Sequence, residues 1–432
     1  MIEIIKSADK PRLAERMERI RRRNVALDFE LMSKVAAIIE DVRCRGDAAL
    51  VDFTAQFDGC SIQPADLRVS GEMLTVAAAK ADPTFLDALR EAIQRIRRFH
   101  EFERQRSWES DGPGGVRFGQ RITPIDSAGL YVPGGTASYP SSVVMNVIPA
   151  QIAGVGRIVV ATPPRSLQEN PAVAAALVEL GVTEVYAVGG AQAIAALAFG
   201  TETVRRVDKI TGPGNKYVAA AKKLVFGTAG IDSIAGPSEV VILAEASANA
   251  SYIAADLLAQ SEHSPDASAM LITDSDKLAK QVASELDSQA SSLPRREVIE
   301  KSLSDYGAII IVPSIEEGCN LVNELAPEHL EILCVDEDIV ASNIRNAGAI
   351  FFGENTPEAT GDYLAGPNHV LPTSGAARFS SALGVYDFLK RTTILKSSSD
   401  ELKRTAPLIA ALARAEGLEA HARSALIRTE AE

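Results

Sequence analysis

Two pairs of polar residues are the first candidates for chemistry. Gln260 and His263 are three residues apart on a stretch that reads as a helix, so an amide oxygen and an imidazole nitrogen share one face within reach of one ion. Glu328 and His329 are neighbours at a predicted helix-to-strand junction. A histidine with its ordinary pKa of about 6.5 accepts protons readily, and an adjacent carboxylate can activate a water. These residue types are those of a metal site with proton-transfer groups.

Each candidate also has a structural explanation. His263 lies near the end of its predicted helix, where a histidine interacts with the helix dipole. Side chains of adjacent residues, such as the second pair, diverge in most backbones. Asp362 and His421 are equally compatible with solvated surface positions, and His369 with a Pro-Asn turn that fixes the loop after Asp362. Residue type alone leaves both interpretations open.

Three glycine turns each join a predicted strand to a predicted helix. They begin at Gly129 (Gly-Leu-Tyr-Val-Pro-Gly-Gly-Thr), Val188 (Val-Gly-Gly-Ala-Gln-Ala) and Thr211 (Thr-Gly-Pro-Gly-Asn-Lys). Such turns bring backbone N–H groups close to an anion, and at the carboxyl ends of successive parallel strands they would converge where α/β sheets bind nucleotides. None is the G-x-G-x-x-G fingerprint, and tight strand-to-helix connections would also explain them.

The elements that must position these residues follow an α/β pattern. Short continuous apolar runs alternate with Ala-rich helical stretches, as in parallel sheets covered on both faces. The predicted strands begin at Arg157, Glu184, Ser238, Ser268, Gly307, Leu330 and Gly348. We expect two doubly wound, Rossmann-like parallel-sheet domains without the dinucleotide fingerprint, and a helical tail from Asp400 to Arg428 with a break near Gly417.

The expected organisation has four parts. Residues 1–26 form an N-terminal helical segment that packs with the tail; 27–130 and 238–378 form a first, discontinuous α/β domain; 131–237 form the second, on the nucleotide side; 379–432 form the tail. Asp82-Pro83 and the apolar positions Phe85, Leu89, Ile93 and Ile96 predict a capped amphipathic helix. The tail needs a surface to pack on, in its own chain or in a partner.

Composition excludes several classes. The 432 residues carry a formal net charge of −13, which disfavours nucleic acid and anionic membrane surfaces as partners. The densely charged N-terminus lacks a secretory apolar core, and the sparse cysteines at 44, 60, 319 and 334 suit a reducing compartment. We therefore expect a cytoplasmic protein with more than one domain.

Taken together and in order, the motifs resemble one family. These are Tyr-Val-Pro-Gly-Gly-Thr-Ala-Ser-Tyr-Pro-Ser-Ser, Gly-Gly-Ala-Gln-Ala-Ile-Ala-Ala-Leu, Gly-Pro-Gly-Asn, Ile-Ala-Gly-Pro-Ser-Glu, Ala-Gln-Ser-Glu-His, Pro-Glu-His-Leu-Glu and Gly-Asp-Tyr. The chain resembles histidinol dehydrogenase from about residue 30 to its C-terminus. So many long motifs in one order make the resemblance highly specific.

The resemblance implies a complete site. Zinc would be held by Gln260, His263, Asp362 and His421, the last from the neighbouring subunit of a homodimer whose tails cross over. NAD would contact Tyr131, Gln192 and Asn215. The substrate would contact Ser238, Gln260, His263, His329, Asp362, Glu416 and His421, with Glu416 also from the partner chain. Glu328 and His329 would be the catalytic pair.

The implied reaction is the oxidation of L-histidinol through L-histidinaldehyde to L-histidine with two NAD, at the end of histidine biosynthesis. A relative with the same fold and zinc site that oxidises another amino alcohol or diol is the nearest alternative. A zinc hydrolase, in which Glu328 and His329 activate a metal-bound water, is an alternative from another class. A noncatalytic nucleotide-binding protein would leave the metal ligands and proton-transfer groups unexplained.

Overall fold

The computed structural model describes residues 2–23, 28–134 and 139–430. The strands in this part of the chain are β1 (Ile4–Lys6), β2 (Trp108–Asp111), β3 (Arg117–Pro124), β4 (Ser127–Tyr131), β5 (Arg157–Thr162), β6 (Glu184–Ala187), β7 (Lys209–Thr211), β8 (Gly230–Ile231), β9 (Glu239–Ala244), β10 (Ser268–Thr273), β11 (Ala308–Ile311), β12 (His329–Leu333), β13 (Ala349–Phe352) and β14 (Leu389–Lys396).

The α-helices are α1 (Lys10–Arg21), α2 (Phe29–Arg45), α3 (Asp47–Phe53), α4 (Gly71–Ala78), α5 (Pro83–Glu101), α6 (Pro140–Ala153), α7 (Pro164–Gln168), α8 (Pro171–Glu179), α9 (Gly190–Phe199), α10 (Lys216–Val225), α11 (Ala250–Ser261), α12 (Asp276–Ala290), α13 (Arg296–Tyr306), α14 (Ile315–Leu325), α15 (Glu337–Ser342), α16 (Glu358–Tyr363), α17 (Ser399–Ala415) and α18 (Glu419–Leu426). Asp82 caps α5 by accepting from the Thr84 and Phe85 N–H groups, as the sequence predicts.

A six-stranded parallel sheet forms one half of the molecule. Its strand order is β1-β11-β10-β9-β12-β13, and every neighbouring pair is parallel. Strands β9, β10, β11 and β12 are buried at every position, because helices cover both faces of the sheet. Helices α11, α12 and α13 pack on one face, and α1 with α14 on the other.

A five-stranded parallel sheet, of order β6-β5-β4-β7-β8, forms the other half. Helices α5, α6 and α8 bury their apolar sides on one face, and α2, α9 and α10 on the opposite face. The predicted fold class, two parallel sheets with helices on both faces and C-terminal helices, is confirmed. The predicted break near Gly417 is where α17 ends and α18 follows, and Gly417 has φ +77° there.

A third, antiparallel sheet was not predicted. It has the order β14-β3-β2, and β14 pairs with β3 from Leu389 opposite Pro124 to Lys396 opposite Arg117. The first part of the tail is therefore a strand. This strand is largely exposed, so its sequence lacks the apolar run by which the buried strands are recognised.

Packing differs from the expected organisation in two places. The N-terminal segment contributes β1 to the six-stranded sheet, and α1 contacts β1 and α13. Helices α2 and α5, both expected beside residues 238–378, pack instead on the five-stranded sheet: α2 contacts α9 and α10, and α5 contacts α6. Helical periodicity reveals that Leu31 and Val35 face a core, but it does not specify which core. The exact domain limits stay a prediction.

The structure also bears on the cysteines and on membrane-spanning helices. Cys44, Cys60, Cys319 and Cys334 are free thiols. Within the described ranges, no helix combines the length and the apolar content that a bilayer crossing requires.

Candidate active site

A cleft of about 520 Å³ lies where elements of the two parallel sheets meet. The residues before β9 and β12 form one wall, and the turn from β7 to α10 forms another. Of the predicted site residues, the cleft is lined by Asn215, Ser238, Gln260, His263, Glu328, His329 and Asp362. Residues far apart in sequence thus converge on one cavity.

The Glu328-His329 pair sits at the junction of α14 and β12. Ala326 ends the helix with φ +50°, and Pro327 separates it from the strand. Both side chains are buried, and His329 Nδ1 lies 3.7 Å from Glu328 Oε2. The two side chains therefore face the same region instead of diverging.

Glu239, the first residue of β9, holds both members of this pair through its backbone. Its N–H donates to Glu328 Oε2 at 2.9 Å, and its carbonyl oxygen accepts from His329 Nδ1 at 3.0 Å. Because a carbonyl only accepts, Nδ1 carries a proton and, in the neutral ring, Nε2 carries the lone pair. Sequence reasoning had not singled out Glu239.

The His329 ring is poised as a proton acceptor. Burial lowers the pKa of His329 from 6.5 to about 4, so the ring is neutral near pH 7. Its Nε2 atom is buried without a hydrogen-bond partner among the described residues and lies 3.8 Å from Asp362 Oδ1. A buried lone pair of this kind points to a donor supplied by a bound molecule.

Carboxyl groups crowd the same region. Burial raises the pKa of Glu328 well above its ordinary value, and the charges of Glu239 and Asp362 raise it further. Burial likewise raises the pKa of Glu358, with Asp362 and Glu328 as the nearest negative charges. A cation bound among these groups would offset their mutual repulsion.

His263, Glu358 and Asp362 form a cluster able to hold a metal ion. One ligand atom from each lies within 4.8 Å of the others. An imidazole nitrogen and carboxylate oxygens are ligands that Zn²⁺ takes, and the crowding of buried carboxyl groups around them favours a cation. The donor set therefore fits zinc.

Gln260 joins this cluster through Glu358. The Gln260 side chain is fully buried, and with the amide oriented so that its nitrogen faces Glu358, Nε2 donates to both carboxylate oxygens, with Oε2 at 2.9 Å. The amide oxygen therefore points away from that carboxylate. Glu358 was missed in the sequence, although its spacing of four from Asp362 on α16 puts both on one helix face.

Two of the predicted nucleotide residues lie apart from the cleft lining. The Tyr131 hydroxyl accepts from the Gly190 N–H at 3.0 Å, and burial raises the pKa of Tyr131 to about 12. Gln192 is 1% exposed, and neither its Oε1 nor its Nε2 has a hydrogen-bond partner in the described structure. An orphaned buried amide marks a place for a polar ligand.

Asn215 does line the cleft and also caps α10, its Oδ1 accepting from the N–H groups of Tyr217 and Val218. The preceding turn requires glycine at 212, because a Cβ there would lie 2.1 Å from the Tyr131 carbonyl oxygen and φ is +110°. This turn thus approaches the end of β4 closely. Part of the first glycine turn, residues 135–138, lies outside the described residues.

The tail residues are not brought to the cleft within one chain. Glu416 follows α17, His421 lies on α18, and both are exposed. His369, interpreted from sequence as structural, donates from Nδ1 to the Asp362 carbonyl at 2.9 Å and also lines the cleft. His369 therefore holds the backbone of Asp362, a candidate metal ligand, in place.

Comparison with known proteins identifies the family. The family profile described as histidinol dehydrogenase matches residues 21–429. The chain belongs to the histidinol dehydrogenase family. The matched range contains every cleft residue named above and most of the tail.

Relatives agree over nearly the whole chain. Histidinol dehydrogenase of Geobacillus kaustophilus is 53% identical over 397 residues, which cover 92% of this chain and 93% of the relative. That of Halalkalibacterium halodurans is 54% identical over 399 residues, covering 92% of this chain and 94% of the relative. The crystal structure of histidinol dehydrogenase from Elizabethkingia anophelis superposes with a TM-score of 0.90 at 35% identity, covering 97% of this chain and 96% of that one. The two-sheet architecture is thus that of the histidinol dehydrogenase family.

Proposed function

We propose that this protein is a zinc-containing, NAD-dependent histidinol dehydrogenase that oxidises L-histidinol through L-histidinaldehyde to L-histidine in histidine biosynthesis. Family membership supports the reaction class. The observation that carries the mechanism is the neutral, buried His329, whose Nε2 has no hydrogen-bond partner in the described part of the chain and lies 3.8 Å from Asp362 at the metal cluster.

Gln260, His263 and Asp362 would hold the zinc ion, with His421 of the partner subunit as the fourth ligand. Zinc, when bound, would serve as a template: the imidazole and amine nitrogens of histidinol would chelate it, and this would fix the position of the alcohol carbon. Glu358 would orient the Gln260 amide through its two accepted hydrogen bonds, and His369 would hold the loop of Asp362. The ligands would therefore be preorganised by buried partners.

His329 would accept the hydroxyl proton of the alcohol at Nε2. The hydrogen bond from Nδ1 to Glu239 fixes both the tautomer and the ring orientation that this role needs. Glu328 would then activate the water that adds to the aldehyde, with His329 again assisting. Burial makes Glu328 a stronger base when it is ionised.

Tyr131, Gln192 and Asn215 would contact NAD, which accepts the hydride in each of the two oxidations. The unpartnered amide of Gln192 at the start of α9 supports a polar ligand there. Asn215 belongs to the turn that also borders the cleft. The cofactor would thus extend from the five-stranded sheet towards the metal cluster.

A homodimer with crossed tails would complete each site. Ser238, Gln260, His263, His329 and Asp362 of one chain would contact the substrate, together with Glu416 of the partner subunit and His421 of the partner subunit. Exposed apolar side chains on the tail support a partner: Leu408 and Leu412 on α17 are 58% and 71% exposed, and Leu418 and Ile427, which flank α18, are 41% and 59% exposed. In the single chain these helices share only a small alanine-rich core.

The stoichiometry of the reaction tests this proposal. Zinc-loaded protein with excess NAD should form two NADH and one histidine per histidinol consumed. One NADH with released aldehyde, or faster turnover of a simple diol, would indicate another alcohol dehydrogenase. Turnover without NAD would indicate a hydrolase.

A further inference from the structure

A buried ion pair connects the N-terminal segment to the backbone that holds the candidate catalytic pair. Arg23 Nη2 lies 2.8 Å from Glu239 Oε1, and the two side chains are 3% and 9% exposed. The Ser374 N–H also contacts the Glu239 carboxylate. The Glu239 side chain is thus fixed by a cation that comes from more than two hundred residues earlier in the chain.

Arg23 is itself held on several sides. Its Nη1 donates to the Asp266 carbonyl at 2.5 Å, and its Nε donates to the Ile20 carbonyl at 3.1 Å. The guanidinium group lies 5.2 Å from the centre of the Tyr306 ring. Although Arg23 borders the cleft, each of its three nitrogens has a protein partner. It is therefore placed to support other residues instead of contacting a substrate.

Through its ion pair with Glu239, Arg23 is connected to both candidate catalytic residues. The same residue that pairs with Arg23 donates its N–H to Glu328 and accepts from His329 Nδ1. Without a cation, the buried Glu239 carboxylate would be costly to keep in place and would move towards water or take up a proton. Either change would displace the backbone of Glu239, to which the side chains of Glu328 and His329 are hydrogen-bonded.

We propose that Arg23 is a positioning residue that holds Glu328 and His329 in their reactive geometry through Glu239. This inference rests on the roles proposed above for Glu328 and His329. An error of about 1 Å in such groups lowers rates by roughly 10²-fold, so loss of Arg23 should act on turnover more than on binding.

The test compares two buried arginines of the N-terminal segment. In Arg23→Met, kcat for histidinol oxidation should fall roughly 10- to 100-fold, while KM for histidinol, KM for NAD and zinc content stay near wild type. Arg16→Met is the matched control, because Arg16 is also buried, pairs with the partly exposed Glu3, and binds the Ser304 and Asp305 carbonyls. It should lower the melting temperature without lowering kcat per folded protein.

Chemical rescue adds a readout that stability alone would not move. Millimolar guanidinium should restore part of kcat to Arg23→Ala and none to a matched Arg16→Ala. Arg23→Lys should be intermediate, because a lysine keeps the charge but cannot bond Glu239 and the Asp266 carbonyl with one planar fork.

Three results would overturn the proposal: wild-type kcat in Arg23→Met, an equal loss of kcat in Arg16→Met, or a rise in KM that accounts for the whole effect. If Arg23→Met does not fold, Arg23→Lys carries the test, and wild-type kcat in that variant would overturn it. His329→Asn is measured in parallel. If it keeps turnover, the proposed function fails; if it abolishes turnover while Arg23→Met matches wild type, only the present inference fails.

Discussion

His329 Nδ1 donates to the Glu239 carbonyl oxygen at 3.0 Å, and this single bond decides which nitrogen of the ring can take a proton. The proton on Nδ1 leaves Nε2 with its lone pair, buried beside Asp362 and without a partner in the described structure. Histidine is thus held as a neutral base at the metal cluster.

Replacement of this base should abolish turnover. In His329→Asn, NADH formation from histidinol should fall by at least about 10²-fold, because no group at the Nε2 position accepts the hydroxyl proton. Zinc content and NAD affinity, measured by metal analysis and by fluorescence titration, should be retained because His329 is not among the proposed ligands of either. Unchanged turnover would refute the role assigned to His329.

Burial of a neutral histidine should also make the metal-free protein sensitive to acid. The pKa of His329 is about 4 in the folded chain and about 6.5 when unfolded, so its contribution to stability is complete above pH 6.5 and is lost as pH falls towards 4. The loss is about 3 kcal/mol at most. Raised carboxyl pKa values of Glu328 and Glu358 act in the opposite sense.

Denaturant unfolding of wild type and His329→Asn at several pH values isolates the histidine. The free energy of unfolding of wild type should fall by about 3 kcal/mol more than that of the variant between pH 6.5 and 4. A difference between the two proteins that stays constant with pH would show that the ring does not titrate in this way.

The sequence predicted the two parallel sheets because strands such as β9 and β10 are continuous apolar runs with glycine or proline near their ends. It could not reveal β1 or β14. Strand β1 has only three residues and is defined by its pairing with β11. Strand β14 is largely exposed and therefore has few apolar residues that would mark it as a strand. Strands that form through long-range pairing, or that lie on the surface, cannot be recognised from the composition of the local sequence.

The site was predicted in part for a related reason. Residue type and spacing made Gln260, His263, Glu328, His329 and Asp362 candidates, and the resemblance implied their roles. The structure brings these residues together. Glu239 acts through its backbone and Glu358 through the Gln260 side chain. Glu239 ends the Ile-Ala-Gly-Pro-Ser-Glu motif, but the motif does not indicate this role, and Glu358 belongs to none of the motifs. Only the three-dimensional register of β9 beside β12 reveals the role of Glu239.

Glu328→Gln should separate the two oxidations. Glutamine can still accept the Glu239 N–H with its Oε1, so the local structure should persist, but it is not a base for the water that adds to the aldehyde. The first oxidation should continue and the second should slow by about 10²-fold. Rapid-quench analysis should find about one NADH per histidinol with retained aldehyde; two NADH at the normal rate would assign water activation elsewhere.

Glu358→Gln should weaken zinc binding. Two carboxylate oxygens accept from the Gln260 amide, and a glutamine offers only one acceptor, so the Gln260 side chain would lose its fixed orientation. Loss of such a supporting partner costs about 10- to 100-fold in metal affinity. Competition with a chelator measures this effect, and Glu337→Gln at the partly exposed start of α15, which is not among the residues lining the cleft, is the control. Equal zinc affinity in both variants would show that Glu358 does not support the site.

Mixed dimers test whether the tail completes the neighbouring site. His329→Asn and His421→Asn should each be inactive alone. When the two chains are co-expressed, half of the dimers are mixed, and in each of these one site carries both substitutions and the other carries neither. About a quarter of wild-type activity should therefore return. Co-expression of His329→Asn with Glu328→Gln is the control: both residues belong to the same chain's half of each site, so every site in a mixed dimer keeps one defect. Histidine formation should then not exceed that of the two variants alone. No recovery in the first pair would place His421 in the site of its own chain, and recovery in the control would contradict the assignment of Glu328 and His329 to one site.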